Sequence, residues 1–247
     1  MEKYSSFLSH YSLWLPVAFL WFSAAFTSCD SGDIYPVDPE TIDGTSVEAT
    51  FRFLDIETFP DKDSYEILFG TFGDSDVPLV SKNISKPAGE TVTVSLSNIP
   101  EGSLSIRLSL AKAGRQAFYT FYEMKLNGIP EDDLVIQEQY VNMISYERIQ
   151  RQVFNQCIAC HGASEGNPAA NLNLMPEYSY DNLINVQSEK NTEKKRVLPD
   201  NESKSYLTDV LQEEAGLRYD HSTSISSLKT NDIVLLKEWI QAGAKNE

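Results

Sequence analysis

The stretch Cys157-Ile158-Ala159-Cys160-His161 determines how the C-terminal part of this chain is interpreted. Two thiols separated by two residues and followed directly by an imidazole form the pattern C-x-x-C-H. The full chain of 247 residues contains three cysteines and three histidines, so this stretch holds two of the cysteines and one of the histidines. The cofactor, the compartment and the class of function expected for the protein all depend on what this motif binds.

Covalent attachment of one haem c to Cys157 and Cys160 is the interpretation that the motif favours, because thiols at this spacing reach both vinyl groups on one edge of a haem. His161 is then the proximal ligand of the iron. Two alternatives remain open. A zinc site would combine both cysteines with His161 and His221, although a zinc finger separates its ligand pairs by a loop. A thioredoxin-type dithiol would need a βαβ context, which the sequence does not offer.

Helical periodicity lies on both sides of the motif. Ile149, Val153 and Cys157 are spaced four residues apart and share one face of a predicted helix that ends at the motif. A second apolar row at helical spacing runs from Ile233 to Ile240 and predicts a helix near the C-terminus. The segment after residue 144 is therefore expected to be helical.

Residues from about 145 to 245 resemble a class I c-type cytochrome domain of the kind appended to bacterial exported proteins. The resemblance rests on four segments, which are Phe154 to Gly162, Tyr180 to Val186, Arg196 to Asp200 with the following Ser205-Tyr206-Leu207, and Ile233 to Ala244. It implies an all-α cytochrome c domain over residues 144–247, whose haem carries single electrons.

The distal iron ligand is the point at which the sequence departs from this resemblance. Related domains place a methionine in a short loop before the last helix, whereas this chain has Tyr219-Asp220-His221-Ser222 there and no methionine after Met175. His221 is therefore predicted to be the distal ligand, with Met175 or an open, water-ligated site as alternatives. Two strong protein ligands would leave no place for oxygen or peroxide, so we expect an electron carrier rather than an enzyme.

Residues 46–143 have the period-two alternation of β-strands. Apolar and polar residues alternate from Val47 to Phe53 and from Val92 to Leu96, and turn signals rich in Pro, Gly, Asn and Asp separate such runs. The pattern predicts an immunoglobulin-like β-sandwich, so the whole chain is expected to be a multidomain protein with an all-β domain followed by the all-α domain. A binding role for the sandwich would need an exposed groove lined by aromatic residues such as Tyr119 and Phe121.

Residues 1–28 are predicted to be a lipoprotein signal peptide. The apolar run from Leu13 to Phe26 has the length of a signal-peptide core and is shorter than a membrane-spanning helix. Phe26-Thr27-Ser28-Cys29 resembles the bacterial lipobox, in which the cysteine is lipidated. An uncleaved membrane anchor and an ordinary cleaved signal are the alternatives.

Residues 29–45 are acidic, contain two prolines and are predicted to be a linker. Acyl chains on Cys29 would anchor the exported protein in the cell envelope, at the outer membrane or at the periplasmic face of the inner membrane. Export agrees with the haem prediction, because haem c is attached outside the cytoplasm.

The net charge of −16 argues against a nucleic-acid partner, because phosphate would repel so acidic a chain. The charge either serves solubility or forms a docking face for a basic redox partner. The leading hypothesis is a membrane-tethered electron-transfer lipoprotein. The alternatives are an interaction module, whose β-sandwich binds a partner while the haem is structural or redox-sensing, and a peroxidase-like enzyme, which needs an open distal site.

Overall fold

The computed structural model describes residues 44–112, 114–162, 167–212, 217, 219–221 and 228–247. The predicted signal peptide, the lipidation site Cys29 and nearly all of the predicted linker therefore lie outside the described residues. Within the described ranges, no helix has both the length and the apolar character needed to cross a membrane. The same ranges contain seven β-strands, which precede five α-helices.

The seven strands form two sheets. They are β1 Val47–Leu54, β2 Glu66–Phe72, β3 Val80–Ile84, β4 Thr91–Leu96, β5 Ser105–Ala111, β6 Ala117–Lys125 and β7 Leu134–Asn142. One sheet has three strands in the order β4-β1-β7, and the other has four in the order β3-β2-β5-β6. Neighbouring strands are antiparallel except for β1 and β7, which pair in parallel.

The two sheets pack face to face around an aromatic core. Alternate residues of β1, including Phe51, are fully buried, as the period-two pattern predicts. The Phe51 ring meets Phe69 of the other sheet edge-on at 5.5 Å and Tyr122 at 5.8 Å. Aromatic rings favour this edge-to-face packing, and burial of their apolar area stabilises the pair of sheets.

The predicted immunoglobulin strand arrangement is wrong. An immunoglobulin sandwich would place its first, second, fourth and fifth strands in one sheet. Here β1 shares its sheet with β4 and β7, while β2 pairs with β3 and β5. The alternation of apolar residues predicts which face of each strand is buried, but it does not predict which strands pair with each other in a sheet.

The predicted all-α cytochrome c domain over residues 144–247 is also wrong. Among the described residues after 144, the helices are α1 Tyr146–Gln152, α2 Ile158–His161, α3 Ser179–Leu183, α4 Tyr206–Gln212 and α5 Thr230–Gln241. Only α5 reaches 12 residues, and the others have four to seven. Between them lie 3₁₀ turns, loops and isolated β-bridges such as Ile184 with Val197, so the described residues are mainly β-sheet with few and short helices.

The helix predicted to run from residue 149 into the motif is interrupted. Helix α1 ends at Gln152, and a 3₁₀ turn over Phe154–Gln156 separates it from α2. Ile149 and Val153 are fully buried, and Cys157 packs against the same apolar cluster. The spacing of these residues therefore shows that they face the same core. The helix is interrupted at β-branched and aromatic residues, which favour helix less than straight-chain residues do.

A second hydrophobic cluster, around Trp239 and the fully buried side chains of α1 and α5, lies after the strands. Arg148 of α1 is also buried, and its guanidinium donates to the main-chain oxygens of Met143 and, at 2.9 Å, of Thr58. These hydrogen bonds fasten the helical segment to the sheets. The division into domains at residues 143 and 144 stays a prediction.

Candidate cofactor site

A cavity of about 570 Å³ opens beside the C-x-x-C-H motif, within the range of about 300–1,000 Å³ that is usual for cofactor sites. Cys157, Cys160 and His161 line one part of it. The remaining lining is largely apolar and includes Phe154, Leu172, Leu174, Leu183, Leu207 and Leu211. Such walls suit a flat, apolar cofactor better than a hydrated ion.

The two thiols differ in their surroundings. Cys157 is half-buried, and its Sγ lies 3.7 Å from the main-chain oxygen of Val153, whereas Cys160 is exposed. Burial, and secondarily the neighbouring Cys160, raises the pKa of the Cys157 thiol to about 11. A redox dithiol works through a cysteine of lowered pKa, so these surroundings do not favour the thioredoxin-type alternative.

His161 is held in one tautomer. The Nδ1 atom of His161 lies 2.9 Å from the carbonyl oxygen of Ala169, which can only accept, so Nδ1 carries the proton and donates it. Burial is the main reason that the pKa of His161 lies below its usual value, and the nearby His221 lowers it further. At neutral pH the ring is therefore uncharged with its Nε2 lone pair available, which is the form that binds a metal.

His221 lies across the cavity from the motif. Its ring centroid is 6.1 Å from that of His161, and the two ring planes are inclined by 29°. A metal atom bonded to one nitrogen of each ring at about 2 Å would place the centroids about 6 Å apart. The centroid separation of the two rings is therefore close to that of two imidazoles on opposite sides of one metal atom.

Tyr219 supports the second imidazole. Its ring packs edge-on against His221 at 5.1 Å. Met175, the alternative distal ligand, is half-buried but is not among the described residues that line the cavity. The geometry therefore favours His221 over Met175 as the residue opposite His161.

The residue after the motif has to be glycine. A Cβ atom added to Gly162 would lie 2.6 Å from the carbonyl oxygen of Ile158 and 2.7 Å from its Cγ2 atom. The chain leaves the motif here, and the main-chain N–H of Leu174 donates to the carbonyl of His161 at 2.6 Å. Sequence reasoning noted Gly162 but did not assign it this steric role.

Ala169 and Arg196 belong to the site, although neither was assigned a role from the sequence. Ala169 contributes only its main-chain carbonyl oxygen to the site. Because every residue has this group, the residue type does not identify Ala169 from the sequence. Arg196 lines the cavity and donates to the carbonyl oxygens of Asn182, Ala170 and Asn171. Its contacts are with the main chain, so its residue type alone did not reveal them.

The aromatic residues expected to mark a binding groove in the sandwich are placed differently. Tyr119 is buried, and its hydroxyl lies 2.6 Å from that of Ser145. Phe121 packs edge-on against Tyr119 at 4.8 Å. These two side chains therefore pack against their neighbours and do not line an exposed groove.

The composition of the lining is compatible with a covalently attached haem, because the cavity brings together an apolar wall, two thiols at the spacing of the attachment motif and two imidazoles. Elsewhere in the described ranges, as in this cavity, no group of three or more His, Cys, Asp or Glu side chains is placed to hold a metal ion by itself. No known protein family, curated protein or solved structure matches the chain.

Proposed function

We propose that this protein is a membrane-tethered electron-transfer protein that carries one haem c on Cys157 and Cys160. His161 and His221 serve as the axial ligands. The bound haem supplies a one-electron couple between Fe(II) and Fe(III). The chain supplies the attachment points, the ligands and an apolar enclosure.

The separation of 6.1 Å between the His161 and His221 rings, beside the two cysteines, is the observation that carries this proposal. Ligation from both sides would leave no axial position for oxygen, peroxide or another substrate. Electron transfer is therefore favoured over oxygen chemistry. The second imidazole donates more strongly to Fe(III) than a thioether does, so the proposal includes a lower reduction potential than that of a His–Met site.

The apolar wall has a role in this function. Leu172, Leu183 and Leu207 line the cavity in which the ring would lie and keep water from it. The polarity of such an enclosure tunes the potential, because a water-poor surrounding stabilises the additional charge of Fe(III) less. Cys160 is exposed, so the edge of the ring attached there would lie near the surface, where electrons can pass to a partner.

The place of the protein in the cell is part of the proposal. Haem c attachment outside the cytoplasm agrees with the export signal in residues 1–28 and with lipidation at Cys29. The lipid would hold the protein at the outer membrane or at the periplasmic face of the inner membrane. The net charge of −16 would draw a basic redox protein toward it.

The decisive experiment is the mass of the denatured protein, purified from a bacterial strain that matures c-type haem. We expect the mass of one added haem, and a pyridine spectrum typical of two thioether bonds. The double variant Cys157→Ser with Cys160→Ser is the control and should have the mass of the polypeptide alone. A wild-type protein with two free thiols and no added haem would rule the proposal out.

A further inference from the structure

We propose that Arg196 is a positioning residue for the proximal ligand His161. It holds the main chain of residues 169–171 in the conformation that presents the Ala169 carbonyl to His161. This inference rests on the proposed haem function, because it concerns how strongly His161 donates to an iron.

The backbone beside His161 is strained. Ala170 has φ 55° and ψ 28°, and Asn171 has φ 47°, so two consecutive residues lie in the left-handed region. This region is unfavourable for any residue with a Cβ atom, and alanine has no polar side chain to compensate. Such a segment persists only when surrounding contacts hold it, and strain of this kind concentrates at functional sites.

Arg196 provides those contacts. Its Nη2 atom donates to the carbonyl oxygens of Ala170 at 3.0 Å and Asn171 at 3.2 Å. Its Nη1 atom donates to the carbonyl oxygen of Asn182 at 2.9 Å, in helix α3. One planar guanidinium therefore ties the strained segment to a regular element, which the single ammonium group of a lysine cannot do with the same geometry.

A second contact holds the same segment. The side-chain amide of Asn171 donates to Glu189 Oε1 at 2.9 Å. Burial lowers the pKa of Arg196, and the negative charge of Glu189 partly offsets this effect. Arg196 thus binds the carbonyl oxygens of this segment, and Glu189 binds the side chain of Asn171 in it.

The position of this segment determines the hydrogen bond that His161 makes. The Ala169 carbonyl, one residue before the strained pair, accepts from His161 Nδ1 at 2.9 Å. A carbonyl acceptor at this nitrogen fixes the orientation of the ring and raises the basicity of the nitrogen that binds the metal. A more basic ligand favours Fe(III), so an intact bond lowers the reduction potential and a weakened bond raises it.

The charge of Arg196 would act in the opposite direction. A nearby positive charge disfavours the extra charge of Fe(III), so removal of that charge would lower the potential. The variant Arg196→Lys keeps the charge but loses the fork that binds three carbonyls. A higher potential in this variant therefore indicates positioning, because the retained charge by itself predicts no change.

The experiment compares haem-loaded wild type with haem-loaded Arg196→Lys by redox titration. We expect the reduction potential of the variant to be higher by at least about 18 mV. For a one-electron couple, this shift corresponds to a twofold increase in the equilibrium preference for Fe(II) over Fe(III). The His161 Nδ1 proton should also exchange faster with solvent in the variant, as measured by NMR. Lys195→Met is the matched control, because it removes a neighbouring positive charge, and its potential should not rise.

A second variant tests the same segment with Arg196 in place. Ala170→Val changes no charge, but its branched Cβ makes the left-handed conformation more costly. Ala170 is exposed and lies outside the buried core, although it lines the cavity, and the potential is expected to rise as it does in Arg196→Lys.

The outcomes separate this inference from the proposed function. A wild-type protein without haem overturns the proposed function. A loaded protein in which Arg196→Lys and Ala170→Val change neither the potential nor the proton exchange overturns the positioning role. A fall in the potential of Arg196→Lys would also overturn it.

Discussion

The imidazole rings of His161 and His221 lie 6.1 Å apart, centroid to centroid, across an apolar cavity. His161 ends the short helix α2, whereas His221 precedes α5 and is supported by the ring of Tyr219. Only the packing of the intervening segments brings the two rings together. Their arrangement leads to a specific expectation for the spectra of the proposed haem-loaded protein.

Replacement of His221 by alanine should open one axial position of the haem. The reduced wild-type protein is expected to be low-spin and slow to bind carbon monoxide, whereas His221→Ala should bind it readily, as measured by absorption spectroscopy. His221→Met is the matched variant and should raise the potential, because a thioether favours Fe(II). An unchanged spectrum in His221→Ala, or a methionine-to-iron charge-transfer band in wild type, would make Met175 the better candidate.

Replacement of Cys29 by alanine should release the protein from the membrane fraction. The acyl chains expected on this cysteine are the proposed anchor, and the variant cannot carry them. Immunoblots of membrane and soluble fractions measure the effect, and haem content should be unchanged. A variant that stays in the membrane with residues 1–28 intact would instead indicate a transmembrane anchor.

Replacement of Gly162 by alanine should destabilise the end of the motif. The new methyl group would overlap the Ile158 carbonyl oxygen, and forced repacking of this kind costs about 1–3 kcal/mol. Denaturant titration measures the free energy of unfolding, and haem incorporation should fall with it. Gly89→Ala is the control, because a Cβ there meets no atom within 4 Å, and its effect should stay within about 0.5 kcal/mol.

Replacement of Arg148 by methionine should cost about 1–3 kcal/mol of stability, because it removes the donor to buried acceptors. The buried guanidinium donates to the main-chain oxygens of Thr58 and Met143 and to Gln152 Oε1. Methionine would remove all three bonds and leave the Met143 oxygen with only the longer bond from the Thr58 hydroxyl. Denaturant titration again measures the loss.

The control for Arg148 is the exposed Arg151 on the same helix. Its main charged contact is a surface ion pair with Glu147, so Arg151→Met should cost less than about 1 kcal/mol. Equal effects of the two substitutions would contradict the proposed fastening of the helical segment to the sheets.

Local properties of the chain could be predicted from the sequence. The runs at residues 47–53 and 92–96 were predicted to be strands, and they lie in β1 and β4. This prediction was possible because period-two alternation shows which side of a strand is buried. The C-x-x-C-H motif is likewise local, since its three chemical groups occur within five residues. A glycine after the motif was visible too, although its contact with Ile158 was not.

Long-range relationships were decided by the tertiary structure. Apolar spacing cannot show that β1 pairs with β4 and β7, or that α1 stops before the motif, because both depend on partners distant in the sequence. The prediction of an all-α C-terminal domain failed for this reason. Burial in a shared core produced the helical spacing of residues 149, 153 and 157 without a continuous helix.

The sequence by itself determined the chemistry available at the site, namely two thiols and an imidazole at a fixed spacing with one further histidine near the C-terminus. Tertiary structure decided that His221 lies opposite His161 and that the Ala169 carbonyl holds the His161 ring. Every residue has a carbonyl group, so residue type cannot mark the one that accepts this bond. Its position depends on a strained turn that Arg196 holds from a distant part of the chain.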